Sequence, residues 1–231
     1  MNTQHLSAEQ AKTVQASFIN KVYGWMSLAL VLTGFVAART ASSEAMTQLI
    51  FGNPVLLYGL IFAELGLVIW MSAAINRISS NTAIGLFLLY SALNGLTLSF
   101  IFLVYTGASI ATTFFVTALT FGVMSVYGYV TKRDLTSWGN LLFMALIGII
   151  IGSIVNMFWQ NSGFYWILTY LGVIVFVGLT AYDTQKIKEM SLGLDANSEE
   201  GRKGAILGAL RLYLDFINLF LLLLRILGDR R

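Results

Sequence analysis

Seven long apolar runs, recurring from one end of the chain to the other, constrain the fold more than any other feature of the sequence. They cover roughly 22–38, 55–75, 83–105, 109–130, 140–158, 164–184 and 210–228. About 20 residues at about 1.5 Å rise cross the roughly 30 Å of a bilayer's hydrocarbon, so most of these runs are long enough to span it. Inside hydrocarbon, backbone N–H and C=O groups find no water, and a helix satisfies them within one segment. Of the 231 residues, 57% are hydrophobic and 11% charged, against about 25% charged in a soluble domain. The expectation is an all-α polytopic membrane protein. A cytosolic tail over 1–21 precedes one seven-helix transmembrane domain over 22–231.

Loop charges orient the spans. With the N-terminus inside, Lys12, Lys21, Arg77, Lys132, Arg133, Lys186, Lys188, Arg202 and Lys203 all fall on the cytosolic side, and the outer loops up to the last span hold only Arg39. That is the positive-inside pattern. The C-terminal "LLRILGDRR", with Arg225, Arg230 and Arg231, runs against it. Either the last segment crosses despite its basic end, or it re-enters and returns. The six earlier crossings dominate, which favours seven full spans.

Several chemistries are excluded. The chain has no cysteine, and its single histidine, His5, lies in the polar N-terminal tail. Disulfides, thiolate catalysis and Cys- or His-based metal sites therefore fall away, and no cofactor is expected. The opening stretch is too polar and too long before the first apolar run for a cleaved signal, so the first run is expected to be an uncleaved span. A net charge of +3 points to no nucleic-acid partner. "DANSEEG" (195–201) is not a calcium loop, because the sixth and twelfth positions of an EF-hand would hold Glu200 and Ile206. "GIIIG" (Gly148, Gly152) permits close helix contact, within the chain or between copies.

Three acids fall inside the spans: Glu64, Asp183 and Asp215. A charged side chain at this depth is costly, and such residues mark ion paths, proton relays or counter-ions. Asp183 precedes Lys186 by three residues at the inner end of the sixth span; Asp215 follows Arg211 by four at the inner start of the seventh. Antiparallel neighbours put both carboxylates at similar depth. Facing each other, they form a dyad that holds one proton in common over part of the pH range. Alternatively, each pairs within its own helix, Asp183 with Lys186 and Asp215 with Arg211. Asn218 shares a face with Asp215. Asn94 and Asn156 suit hydrogen bonds to neighbouring helices. Glu64, near mid-span, is either protonated or faces a polar cavity, where it would stand on an ion path.

These residues lie in "GLTAYDTQKIK" (178–188) and "LYLDFINLFLLLLRILG" (212–228), supported by "VYGYVTKRDLTSWGNLLFMALIGIIIGSIVNMF" (126–158). Together they resemble the transmembrane Bax inhibitor motif family, most closely its short-tailed bacterial members, over nearly the whole chain. The resemblance implies a seven-helix bundle with the last helix near its centre, residing in a bacterial inner membrane. It also implies a pH-sensitive calcium leak gated by two aspartates, which map onto Asp183 and Asp215. The basic partner that the family places on the second helix has its nearest candidate in Arg77, at that helix's end.

Two other functions compete, and proton-coupled transport ranks below the leak because no inverted repeat or glycine-broken helix pair stands out. One is a non-conducting regulator that binds other membrane proteins, such as a membrane protease. The other is an intramembrane aspartyl protease, since "YD" (182–183) suits a first motif of that class. "LYLD" (212–215) lacks the glycines of GxGD, however, and the only proline is Pro54. The chain is therefore not expected to be an enzyme.

Overall fold

The computed structural model describes residues 8–231 other than Gly193; His5 lies outside the described residues. Among the described residues nine helices follow in order: α1 (Ala8–Ala41), α2 (Glu44–Phe51), α3 (Pro54–Ala74), α4 (Ser80–Leu98), α5 (Phe100–Val104), α6 (Gly107–Val130), α7 (Thr136–Trp159), α8 (Ser162–Ser191) and α9 (Glu199–Leu227). Among the described residues seven spans are long and apolar enough to cross a membrane, with α4 and α5 together making one, Ser80–Val104. All seven apolar runs of the sequence are therefore helical spans in an all-α bundle.

The helix ends follow capping chemistry rather than hydropathy. Asn53 accepts from the N–H groups of Val55 and Leu56, and Pro54 opens α3 at the first position, where a missing N–H costs nothing. Ser43, Ser79 and Thr106 cap α2, α4 and α6 in the same way. Between apolar runs the helices continue further than the runs themselves. The polar stretch 186–205 shrinks to a connection over 192–198, because Lys, Gln, Glu and Met sustain a helix in water as well as Leu does in lipid. Likewise, the connection expected over 39–54 contains α2, which buries Ile50.

Backbone contacts divide the chain into two units. The first comprises residues through Val104 together with Ile187–Tyr213. In it α1 packs mainly on α4, and α3 packs on α4. A Cβ on Gly95 would press against the Thr33 carbonyl and Val36 at 2.8 Å, so glycine there sets how closely α4 approaches α1. Phe18, Val22, Phe87, Leu212 and Tyr213 are fully buried in this unit.

The second unit comprises Tyr105–Lys186 and Leu214–Arg231. Val175, Phe176, Leu179 and Leu219 form its apolar core. Gly152 receives Leu168 of α8, whereas the space beside Gly148 is open, so half of the "GIIIG" pair serves packing within the chain.

The last helix is long and apolar enough for a full crossing. α9 runs unbroken for 29 residues, about 43 Å at about 1.5 Å per residue. Beyond it, Asp229 O accepts from Thr106 N at 3.1 Å, and Asp229 N donates to Ser109 Oγ at 3.0 Å. The basic tail is thereby tied to the turn that precedes α6, at the far end of one continuous helix as long as a full crossing needs.

Candidate functional site

The segment that carries Asp183 is placed in the second unit by its neighbours. The Ala181 carbonyl lies where a Cβ on Gly128 of α6 would stand. The Tyr182 ring occupies the space left by Gly139 of α7 and meets Phe143 edge-on at 6.3 Å. Gln185, buried, uses both ends of its amide: Oε1 accepts from Leu135 N and Nε2 donates to Arg133 O, each at 2.8 Å. It ties the α6–α7 turn to α8. Lys186 Nζ donates to Thr136 Oγ1 at 2.9 Å. Tyrosine, glutamine and lysine around Asp183 thus fix the rotation and height of α8 against α6 and α7.

The register of α8 against α9 then locates the second aspartate. Arg225 donates to Thr169 Oγ1 at 3.3 Å, Leu222 fills the space beside Gly172, and Leu219 packs with Val175. Three residues forward on α8 match three back on α9, which defines an antiparallel pair. Continuing that register puts Asp215 at the level of Leu179. Asp183 is four residues further on, about 6 Å along the axis, or roughly one turn. Both acids are buried, at 5% and 4% exposure. They are withdrawn from lipid and share one unit.

Around Asp215, aromatic rings lock α9 to α6: Phe216 meets Phe114 at 5.4 Å and Phe121 at 5.5 Å, and Phe220 meets Phe114 at 6.2 Å. Asn218 turns its amide to its own helix, donating to Leu214 O at 2.8 Å. The inner face of α6 carries Ser109, Thr113, Thr117, Phe121, Ser125 and Gly128. The buried hydroxyls of Thr113 and Ser125 have no hydrogen-bond partner among the described residues. Such orphans are rare in a packed interior. This four-residue spacing of small hydroxyl side chains, interrupted by Phe121, is readable in the sequence, but it passes for ordinary small-residue helix packing.

Glu64 belongs to the first unit and is buried. Its carboxyl accepts from Asn94 Nδ2 at 3.2 Å and Thr97 Oγ1 at 3.0 Å. Asn94 Oδ1 accepts from the Tyr213 hydroxyl at 3.2 Å, which meets Thr33 Oγ1 at 2.7 Å; Thr33 donates to Ser91 O at 2.8 Å. The carboxyl thus ends a polar chain crossing α3, α4, α9 and α1, with Tyr213 enclosed edge-on by Phe87 and Tyr90. Asn94 bonds neighbouring helices, as its place in the sequence implied. Tyr213 and Thr33 were not legible as members, since each alone passes for packing. Arg77 is exposed in the turn after α3, its N–H bonded to Ala74 O at 2.7 Å. Arg211 is exposed on α9. Outside the spans, Asp134 accepts from Thr136 N at 2.8 Å, and hydrogen bonds from the Thr136 side chain and backbone hold its carboxyl below the usual range.

Residues 15–231 match the profile of the family described as inhibitor of apoptosis-promoting Bax1. The chain belongs to this family. The Bax1-inhibitor relatives include the inner membrane protein YbhL of Escherichia coli (strain K12), 57% identical over 226 residues and covering 97% of each chain. An uncharacterized protein of Borreliella burgdorferi is 49% identical over 223 residues, 96% of each chain. One of Rickettsia prowazekii is 47% identical over 216 residues, 93% of this chain and 90% of its own. This member of the Bax1-inhibitor family is a multi-pass integral membrane protein.

Proposed function

We propose that this protein is a proton-gated cation leak of a bacterial inner membrane, with its N-terminus in the cytoplasm, and that Asp183 and Asp215 are its pH sensor. The observation that carries the reading is the burial of two carboxylates on adjacent antiparallel spans, about one turn apart. Like charges at that spacing in a poorly solvated site do not both ionise freely, so the pair binds a proton more readily than two separate acids. Protonation changes the charge that holds α8 to α9, and a ligand or proton with a few kcal/mol of differential affinity shifts a two-state equilibrium from mostly closed to mostly open. The inner face of α6 supports the conducting role, because the partnerless hydroxyls of Thr113 and Ser125 offer oxygen ligands along the span. Hard divalent cations such as calcium take oxygen donors. The name of the Escherichia coli relative supports the location. The reading is of a passive conductor, not an enzyme.

Gating by Arg77 is part of this proposal only as an exposed cation at the end of α3, available when the bundle rearranges. Glu64 is held in its hydrogen-bonded chain and is assigned to fixing the first unit.

The test is calcium flux into proteoliposomes containing this protein alone, across a pH series. Wild type is expected to show flux that varies with pH. Asp183→Asn and Asp215→Asn are expected to flatten that dependence. Absence of flux at every pH, in protein whose helicity is intact, overturns the reading in favour of a non-conducting role.

A further inference from the structure

At the end of the second unit where α7 gives way to α8 and α9 terminates, a cavity of about 630 Å³ opens to the surface. Asn156, Gln160, Tyr165, Trp166, Arg225 and Arg230 line it. The half-buried Arg225 guanidinium lies 4.6 Å from the Tyr165 ring centroid and gives one N–H to Thr169 Oγ1. A guanidinium has five N–H donors, and the stack holds the plane of the remaining ones in place. Among the described residues no carboxylate lies within ion-pair distance of Arg225 or Arg230. The nearby Asp229 accepts from Ser109 Oγ at 3.3 Å instead. Two cations therefore share a cavity with neither held in an ion pair among the described residues.

The backbone at the rim is itself unusual. Gln160 has φ 51°, the one left-handed non-glycine among the described residues. Its N–H bonds to Asn156 O at 2.8 Å, while Asn156 Oδ1 accepts from Asn161 N at 3.1 Å. Glycine would adopt this conformation without cost; a residue with a Cβ held there costs on the order of 1 kcal/mol, and such positions cluster at ligand clamps. A large amide side chain is kept at the rim in spite of that cost. The cavity also lies at the start of α8, a 30-residue helix whose N-terminal end carries partial positive charge.

Exposed Trp166 lines the opening and stacks on exposed Tyr170 at 5.9 Å, and exposed Trp159 ends α7 just before the rim, aromatic placement of the kind that marks headgroup level. Guanidinium groups match the oxygens of a phosphate in paired hydrogen bonds, and basic pockets between spans bind acidic lipid headgroups. From this geometry we infer that the cavity between Arg225 and Arg230 is a binding site for a phosphate group, contributed by an anionic glycerophospholipid of the surrounding leaflet. The site is independent of Asp183 and Asp215 and of the leak reading.

The experiment uses the full chain in detergent, with bound lipid read by native mass spectrometry after addition of phosphatidylglycerol or phosphatidylcholine. Fluorescence of Trp166 is followed in parallel during titration with inorganic phosphate. Phosphatidylglycerol is expected to be retained in preference to phosphatidylcholine. Loss of one charge-assisted contact, worth about 1.5–3 kcal/mol, predicts at least a roughly tenfold weaker retention in Arg225→Gln and in Arg230→Gln. Arg231→Gln, outside the cavity, leaves it unchanged. Should Arg225→Gln fail to fold, the exposed Arg230→Gln carries the comparison. Saturable binding of inorganic phosphate that both variants abolish, without preference between the lipids, keeps the phosphate site and overturns the lipid source. Equal retention of both lipids by wild type and variants, with no response to phosphate, overturns the site itself.

Discussion

Asp183 and Asp215 lie about one helical turn apart along the antiparallel α8–α9 pair, a spacing fixed by three contacts that lead down the same seam. Those contacts are Thr169 with Arg225, Gly172 with Leu222, and Val175 with Leu219. On the proposed gating, the register makes the pH response depend on seam packing as well as on the two carboxylates. Gly172→Leu is expected to push α9 outward and shift the pH at which flux changes. The acids themselves would be untouched. Flux profiles of this variant in proteoliposomes check the claim.

Gly128 is required by the approach of α6 to the Ala181 carbonyl, and Gly139 by the Tyr182 ring. Added volume in a filled interior typically costs about 1–3 kcal/mol. Gly128→Val is expected to fall at or above the upper end, since its obstacle is backbone and cannot turn aside. Gly139→Ala should cost less, because a tyrosine ring can rotate away. Thermal unfolding in detergent, followed by circular dichroism, ranks the two.

The chain from Glu64 to Thr33 separates hydrogen bonding from charge. Glu64→Gln keeps the length and an acceptor oxygen, and it is expected to change stability by less than about 1 kcal/mol. Glu64→Ala strands the buried donors of Asn94 and Thr97 and is expected to cost about 1–3 kcal/mol. Tyr213→Phe keeps the ring contacts with Phe87 and Tyr90 and loses only the hydroxyl, at about 0.6–2 kcal/mol. A loss in Glu64→Gln as large as that in Glu64→Ala would show that the carboxyl works through its charge, which both variants remove.

Asp134 supplies an internal control for pH. Its carboxyl is held below the usual range by bonds from Thr136. A group depressed in the folded state stabilises it above the unfolded value, near about 3.9, and that contribution is lost as the pH falls through the folded value. Its titration therefore lies in acid, below the ordinary carboxylate range. Asp134→Asn, which keeps an oxygen for the Thr136 N–H, is expected to leave the flux profile between about pH 5 and 8 unchanged.

Much of this arrangement was legible in the sequence, because hydrocarbon imposes its own length on each span. The seven spans and the buried acids at 183 and 215 follow from that constraint and from the cost of charge in lipid. The ends were less legible. Hydropathy marks where lipid stops, whereas the helix of α8 persists through Lys186, Lys188 and Glu189 until its backbone needs a cap. The Glu64 network was hidden for another reason. Its members come from residues 33, 64, 94 and 213, each polar or aromatic in a way that packing alone would explain. Only their convergence makes a chain. The hydroxyl face of α6 was visible as spacing, but nothing in the sequence says that Thr113 and Ser125 lack partners.

The central claim is that Asp183 and Asp215 hold one proton between them, and infrared difference spectroscopy of the carboxyl C=O stretch measures it most directly. In wild-type protein stepped between about pH 5 and 8, the account predicts one protonated-carboxyl band that rises as the pH falls, and that disappears in Asp183→Asn and in Asp215→Asn alike. A band that survives unchanged in either variant, or no band over that range, would contradict it.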